Sequence, residues 1–180
     1  MIDRTLPPPV VRLARLDDAN DIARIGHRSF REAFAAGTHP DDLADYLREA
    51  FDPVAIAVEL QQRSNTFYLA LSPDDGSPVG FAKMVDGPAD PSVRGETPIQ
   101  LSRLYILPDH HRLGLGGALL QVCLAHARAR GHATLWLGVW ENNQPALAFY
   151  ARNHLELVGS KTFVVGRDEQ CDLVMERPVD

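Results

Sequence analysis

The chain has 180 residues, 45% of them apolar, and a formal net charge of −6. That length suffices for one compact domain with a sizeable core; the composition excludes a disordered chain, and no apolar run approaches the roughly 18 residues of a spanning helix. The negative charge argues against a non-specific nucleic-acid binder, which is ordinarily basic, and leaves room for a cationic or neutral small substrate.

Residues 1–9, with Pro7 to Pro9, read as a flexible leader, and 10–180 as the domain. The start "MIDRTLPPPVV" has no apolar h-region, and Cys123 and Cys171 form no motif, so a reducing, cytoplasmic setting is expected. A short strand is expected over 10–16. A helix follows over 17–36, capped by Asp17 or Asp18, with Ile22, Ile25, Phe30 and Phe34 at near-helical spacing. A second helix spans 39–51, and a third spans 52–63 with Asp52 as N-cap and Pro53 in its first turn. Strands 65–71 and 78–85 flank "SPDDGS" as a hairpin. The Gly/Pro-rich stretch 86–98 is long for a plain connection and reads as functional or merely mobile. Strand 99–107 leads through a glycine-rich turn into a helix ending near Arg130, with Cys123 as a core thiol on its apolar face. Strand 132–140, a helix over 141–153 capped by Asn142 or Asn143, and three terminal strands over 155–160, 161–166 and 171–177 complete the chain. The pattern is one α/β domain, with helix 114–130 crossing between a parallel or splayed strand pair.

The chemistry concentrates in "LYILPDHHRLGLGGALLQVC", residues 104–123. Glycine inside a helix costs about 1 kcal/mol relative to alanine, so Gly114, Gly116 and Gly117 at a helix start ask for a reason. Backbone N–H groups converging there, with the positive end of the helix, suit a phosphate or pyrophosphate. A P-loop is excluded because no Lys-Ser or Lys-Thr follows, and a dinucleotide fingerprint because the third glycine is misplaced. A purely structural glycine turn stays open. His110 and His111 are adjacent but lack the partners of a metal site, so no metal is expected.

Three stretches resemble the GCN5-related N-acetyltransferase superfamily: "LSRLYILPDHHRLGLGGALL" (101–120), "LWLGVWENNQPALAFYARNHLELVG" (135–159) and "VVRLARLDDANDIARI" (10–25). The resemblance implies an acyl-CoA N-acyltransferase fold, a mixed and mostly antiparallel sheet flanked by helices, with acetyl-CoA as co-substrate. It implies transfer of the acetyl group to a primary amine of a small molecule, by direct attack in a ternary complex. Gly114 and Gly116 match the motif glycines, so the backbone of Arg112, Leu113, Gly114, Leu115, Gly116 and Gly117 is expected to hold the pyrophosphate. Tyr105 and Ile106 fall where strand groups bond the pantetheine arm. Asn143 matches an asparagine that contacts the arm or orders the local helix, and Tyr150 a tyrosine near the thioester sulfur, the expected general acid. Two positions depart from the pattern: His111 stands where Gln or Arg is usual, though His111 and neighbouring Arg112 are both expected to add charge-assisted contacts to the phosphates, and His154-Leu155 replace Gly-Phe.

The general base is not evident. Gln100 stands where family members often carry Glu and accepts no proton usefully; Glu96, His27, His39, a water, or direct binding of the free-amine fraction are the alternatives. The helical opening and the chain end look like the bacterial branch that includes polyamine acetyltransferases, with Asp41, Asp42 and Asp45 able to attract a polyamine. Helices 18–51 and loop 86–98 are expected to set specificity. Pairing of C-terminal strands across subunits, frequent in the family, implies a homodimer. Neither nucleic acid nor membrane is an expected partner. The rival reading is a catalytically weak acyl-CoA sensor of the same fold.

Overall fold

The computed structural model describes residues 9–180, so the expected leader lies outside it except for Pro9. The first half contains β1 (Val10–Leu13), α1 (Ala19–Phe34), α2 (Pro40–Ala50), α3 (Pro53–Gln61), β2 (Asn65–Leu71), β3 (Pro78–Val85) and β4 (Pro98–Ile106). The second contains α4 (Leu115–Ala129), β5 (Thr134–Trp140), α5 (Gln144–Arg152), β6 (Glu156–Val165) and β7 (Asp168–Pro178). The strands form one sheet in the order β1-β2-β3-β4-β5-β7-β6. Neighbours run antiparallel except β4 and β5, which are parallel. This is the mixed, mostly antiparallel sheet expected from the sequence.

Strand alternation divides the core in two. Phe81 and Tyr105 point to the face covered by α1–α3, where the Tyr105 ring meets Phe30 and Phe51 at 6.5 and 6.0 Å between centroids. Tyr68 points the other way and its hydroxyl bonds His126 Nδ1 on α4 at 3.1 Å. Leu119, Leu120, Cys123 and Leu135 are fully buried on that second side, and Ile22, Ile25 and Phe30 are buried under the first. Removing this apolar surface from water is what holds helices to the sheet.

Local chemistry explains the helix starts. Asp52 caps α3 by accepting the Val54 N–H at 2.9 Å, with Pro53 in the first turn. Asp18 stands at the start of α1 but makes no side-chain cap bond. Its carboxylate instead takes Arg12 through two bonds of 2.7 and 2.8 Å and the Arg15 N–H at 2.6 Å. The bond to Arg12 is the main reason its carboxyl lies below the usual aspartate range.

Two expectations need correction. The three terminal strands are two: residues 156–165 run through as β6, with a bulge between Leu157 and Gly159. Gly159 looks like a terminator in the sequence, yet it is a point of close approach; a Cβ there would lie 2.3 Å from Ser92. Loop 86–98 is fixed in place. The amides of Arg94 and Gly95 donate to Glu176 Oε2 at 2.8 and 3.4 Å, and the Ala133 N–H donates to Thr97 Oγ1 at 2.9 Å. Glu176 shares its register with Trp136, on the face of the N-terminal helices, so the loop closes the lower end of that face.

His154, standing in place of glycine, follows α5 with φ 63°, the left-handed conformation glycine favours. Its N–H donates to Ala151 O and that of Leu155 to Tyr150 O, closing the helix end. The turn geometry is kept against side-chain strain. His154→Gly is therefore expected to stabilise the protein by about 0.5–1 kcal/mol; denaturant unfolding checks this, and a loss of stability counts against strain at this turn.

Candidate active site

β4 and β5 pair only at Pro98–Thr134, Ile99–Leu135 and Gln100–Trp136. Beyond that point they part, and the edge of β4 from 101 to 106 faces a gap. β4 also carries a bulge: Lys83 pairs with Arg103 and Met84 with Leu101, leaving Ser102 as the extra residue. The Leu107 N–H donates to Val79 O at 2.8 Å, which sets the alternation back along the strand. Tyr105 therefore turns its backbone groups toward β3, while Ile106 and Leu104 turn theirs into the gap. The expectation that Tyr105 lends backbone groups to this edge is corrected by that parity: Leu104 takes its place beside Ile106.

The turn after β4 brings the predicted residues together. A short 3-10 turn at Pro108–His110 is followed by Arg112 at φ 66° and Gly114 at φ 77°. Gly114 is the N-cap of α4 and offers no side chain to cap it. The first amide with a partner is Ala118, which donates to Gly114 O at 3.0 Å. Among the described residues, the N–H groups of Arg112, Leu113, Gly114, Leu115, Gly116 and Gly117 have no acceptor. Nothing in the protein explains glycine at two of these positions. A Cβ on Gly117 meets nothing within 4 Å, and one on Gly116 meets only the Phe149 ring at 3.6 Å. An anion approaching the backbone would explain both.

His111 is turned back toward the strand. Its Nε2 lies 2.9 Å from Ile106 O; a carbonyl only accepts, so Nε2 carries the proton. Ser29 on α1 donates to the same carbonyl at 3.3 Å, and Arg28 pairs with Asp109. Helix α1 thus braces the junction of β4 and the turn. Asn143 is the N-cap of α5, its Oδ1 accepting the Ala146 N–H at 3.2 Å.

Tyr150 is buried on α5 beside Cys123 and makes no hydrogen bond with any described residue. Burial pushes its phenol well above the usual tyrosine value. Its hydroxyl bears electrostatically on that of Tyr105, which reaches the gap from the opposite face of the sheet.

The candidate bases named from the sequence are not brought to the gap. His39 accepts the Asp41 N–H at 3.3 Å as the cap of α2. His27 is exposed on α1 and Glu96 is exposed in the loop. The acidic helix start is largely engaged: Asp42 pairs with Arg167 at 3.1 Å and Asp45 with Arg48 at 2.8 Å.

Two clusters were missed in the sequence. Glu59 on α3 binds Lys83 at 3.0 Å and Arg103 at 2.9 Å, with all three side chains largely buried. Asp172, in β7, is 8% exposed and has no hydrogen bond or ion pair with a described residue. It pairs in register with Trp140 and Lys161, and its Oδ2 would lie 3.0 Å from a Cβ on Gly138. Alternation places it on the face of Val174, but no local signal in the sequence marks this face as the buried one. A cleft of about 550 Å³ adjoins this region, lined among others by Gly37, Trp140, Glu141, Lys161, Asp168 and Gln170.

Among the described residues no helix is long and apolar enough to cross a membrane, and no three His, Cys, Asp or Glu side chains group to hold a metal. The model of the acetyltransferase (GNAT) family matches residues 26–154. An uncharacterized N-acetyltransferase of Mycobacterium tuberculosis is 30% identical over 162 residues, 90% of this chain and 98% of that protein. The ribosomal protein bS18-alanine N-acetyltransferase of Escherichia coli is 44% identical over 50 residues, 28% of this chain and 34% of its own. The solved structure of PaiA N-acetyltransferase from Thermoplasma acidophilum, in complex with coenzyme A, shares the fold at TM-score 0.76 and 18% identity, over 96% of this chain and 99% of that one. By the match over residues 26–154 and the near full-length relative, the chain belongs to the acetyltransferase (GNAT) family and is an acetyltransferase.

Proposed function

We propose that this chain moves the acetyl group of acetyl-CoA to a primary amine of a small molecule by direct attack in a ternary complex. The observation that carries the reading is the run of amides at 112–117 without acceptors among the described residues, set beside the open edge of β4. A pyrophosphate satisfies such a run, and the helix start favours its charge. Arg112, exposed in the turn, supplies a cation. With its ring held by Ile106 O, His111 fixes the turn to the strand, and the phosphates are left to the amides and Arg112. Leu104 and the Ile106 N–H offer the free backbone groups for the pantetheine arm, the Ile106 carbonyl being taken by His111 and Ser29, and a backbone N–H there meets the oxyanion. Tyr150 donates to the leaving sulfur, and Asn143 orders the helix that carries it. Cys123, the thiol beside Tyr150, is buried and pushed up to about 12, so it stays protonated and offers no acyl-enzyme route.

Gly116→Leu tests the placement. Leucine is a better helix former than glycine by about 1 kcal/mol, so the unliganded fold should not lose thermal stability. Its side chain fills the approach to the amides, and acetyl-CoA affinity should fall by about tenfold or more in calorimetry. Unchanged affinity removes the turn from the site.

The acceptor enters on the side of α1 and α2, through the cleft at Trp140. Glu141 and Asp168 there suit a cationic amine, and a polyamine is the acceptor we place first. The support is the cleft rather than the acidic start of α2, where Asp42 and Asp45 are paired. A homodimer belongs to the same reading: β6 is an outer strand of the sheet, with Leu157 and Val164 exposed. The cysteines, without a motif, suit a reducing cytoplasm. The test is thiol release from acetyl-CoA across a panel of polyamines, amino acids and aminoglycosides. Amine-dependent release supports the reading; acetyl-CoA binding without release for any amine favours a sensor.

A further inference from the structure

We propose that Asp172 is the general base that takes the proton from the acceptor ammonium, an assignment that rests on the acetyltransfer reading above. Such a group raises the rate, because an amine attacks only when neutral and is largely protonated at pH 7. Asp172 stands on the face of the sheet where the acceptor enters, beside Trp140 in register. Gly138, its neighbour on β5, leaves room for the carboxylate; a Cβ there would lie 3.0 Å from Oδ2 and 2.8 Å from Lys161 Cε. No described residue donates a hydrogen bond to the carboxylate and none pairs with it within salt-bridge distance, Lys161 included. A buried carboxylate left this way costs stability and asks for an external partner. An ammonium is that partner.

The titratable groups within electrostatic reach of Asp172 are Lys161 from β6, Tyr105 from β4 and Tyr46 from α2, with Arg103 bearing on both tyrosines and Glu59 on Tyr46. Desolvation, opposed by Lys161, pushes the carboxyl up to about 6. Such a group is ionised at neutral pH and is a stronger base than an exposed aspartate. Tyr150 lies by Cys123 on the α4 side of the sheet, opposite the face that carries Asp172, so in this proposal the amine and the leaving sulfur are served from opposite faces. In the balanced step, the ammonium gives one proton to Asp172. The freed nitrogen bonds to the thioester carbon, and the C–S bond breaks as the carbonyl re-forms. The second nitrogen proton reaches the sulfur through the Tyr150 hydroxyl, and Asp172 returns its proton to solvent.

The experiment compares wild type with Asp172→Asn and Asp172→Glu, using spermidine or, if it is inactive, the most active panel amine. In Asp172→Asn, kcat should fall about a hundredfold or more at pH 7. The acid limb near pH 6 should disappear from its rate profile. Activity should recover toward wild type as pH rises to 9–10 and solution supplies free amine. Asp172→Glu should restore part of the rate and the limb. Acetyl-CoA affinity should stay unchanged and the thermal midpoint at pH 8 should not fall, since the desolvation of this carboxylate outweighs the attraction of Lys161. An Asn variant within about threefold of wild type, or one whose loss is not relieved at high pH, overturns the assignment. If Asn does not fold, the Glu variant decides on the same limb. Wild-type enzyme that binds acetyl-CoA yet acetylates no amine sinks the acetyltransfer reading itself, a separate result.

Discussion

Replacing Glu59 with alanine is expected to destabilise the protein by about 3–5 kcal/mol. Lys83 and Arg103 both lean on this one carboxylate, at 3.0 and 2.9 Å, and their side chains are only 10% and 15% exposed. Without it two like charges share a buried site. Lys83 already lies below the usual lysine range, through burial first and Arg103 second. The loss therefore includes the charges left behind, beyond the bonds removed. Replacing Lys83 by methionine together with Glu59→Ala should recover part of it, because removing a pair costs less than breaking it. Urea unfolding at pH 7 measures both; a change within about 1 kcal/mol for Glu59→Ala means the cluster is better hydrated than its burial implies. The substitution also reaches the site: Arg103 adjoins Ser102, the extra residue that bends β4 at the mouth of the gap.

Tyr150→Phe is expected to lower kcat by about a hundredfold while acetyl-CoA affinity changes little. The ring packs beside Phe149, 5.2 Å between centroids, and phenylalanine keeps that contact. The hydroxyl makes no hydrogen bond with a described residue, so its removal leaves no partner stranded. A phenol raised by burial is a weaker acid than a thiol near 8.5. It therefore serves as a donor to the sulfur while charge develops, passing on the nitrogen proton rather than ionising by itself. Equal turnover in the variant removes the role; parallel losses of turnover and of binding assign Tyr150 to cofactor packing.

The elements were legible because local chemistry agrees with the final fold. Asp52-Pro53 starts α3 as written, and the periodic Ile22, Ile25, Phe30 and Phe34 do face the core. The turn between β4 and α4 was legible because three glycines in four positions interrupt a helical pattern. Failures came where a residue's meaning depends on a distant strand. Whether Tyr105 or Leu104 faces the gap is fixed by pairing with β3 and by the bulge at Ser102, neither of which has a local signature. Gly159 reads as a stop until Ser92 is seen against it. Asp172 was passed over because a lone acid in a terminal strand resembles a solvated one. Its burial depends on β5 and β6 closing on both sides, and its room depends on Gly138.

Direct transfer predicts a distinct time course in rapid-quench analysis with acetyl-labelled acetyl-CoA, enzyme in slight excess and a saturating amine. Label should pass from coenzyme to amine with a single rate constant, free thiol and acetylated amine rising together and the protein staying unlabelled. Label accumulating on the protein before the product appears, or thiol released without acetylated amine, rules out direct transfer.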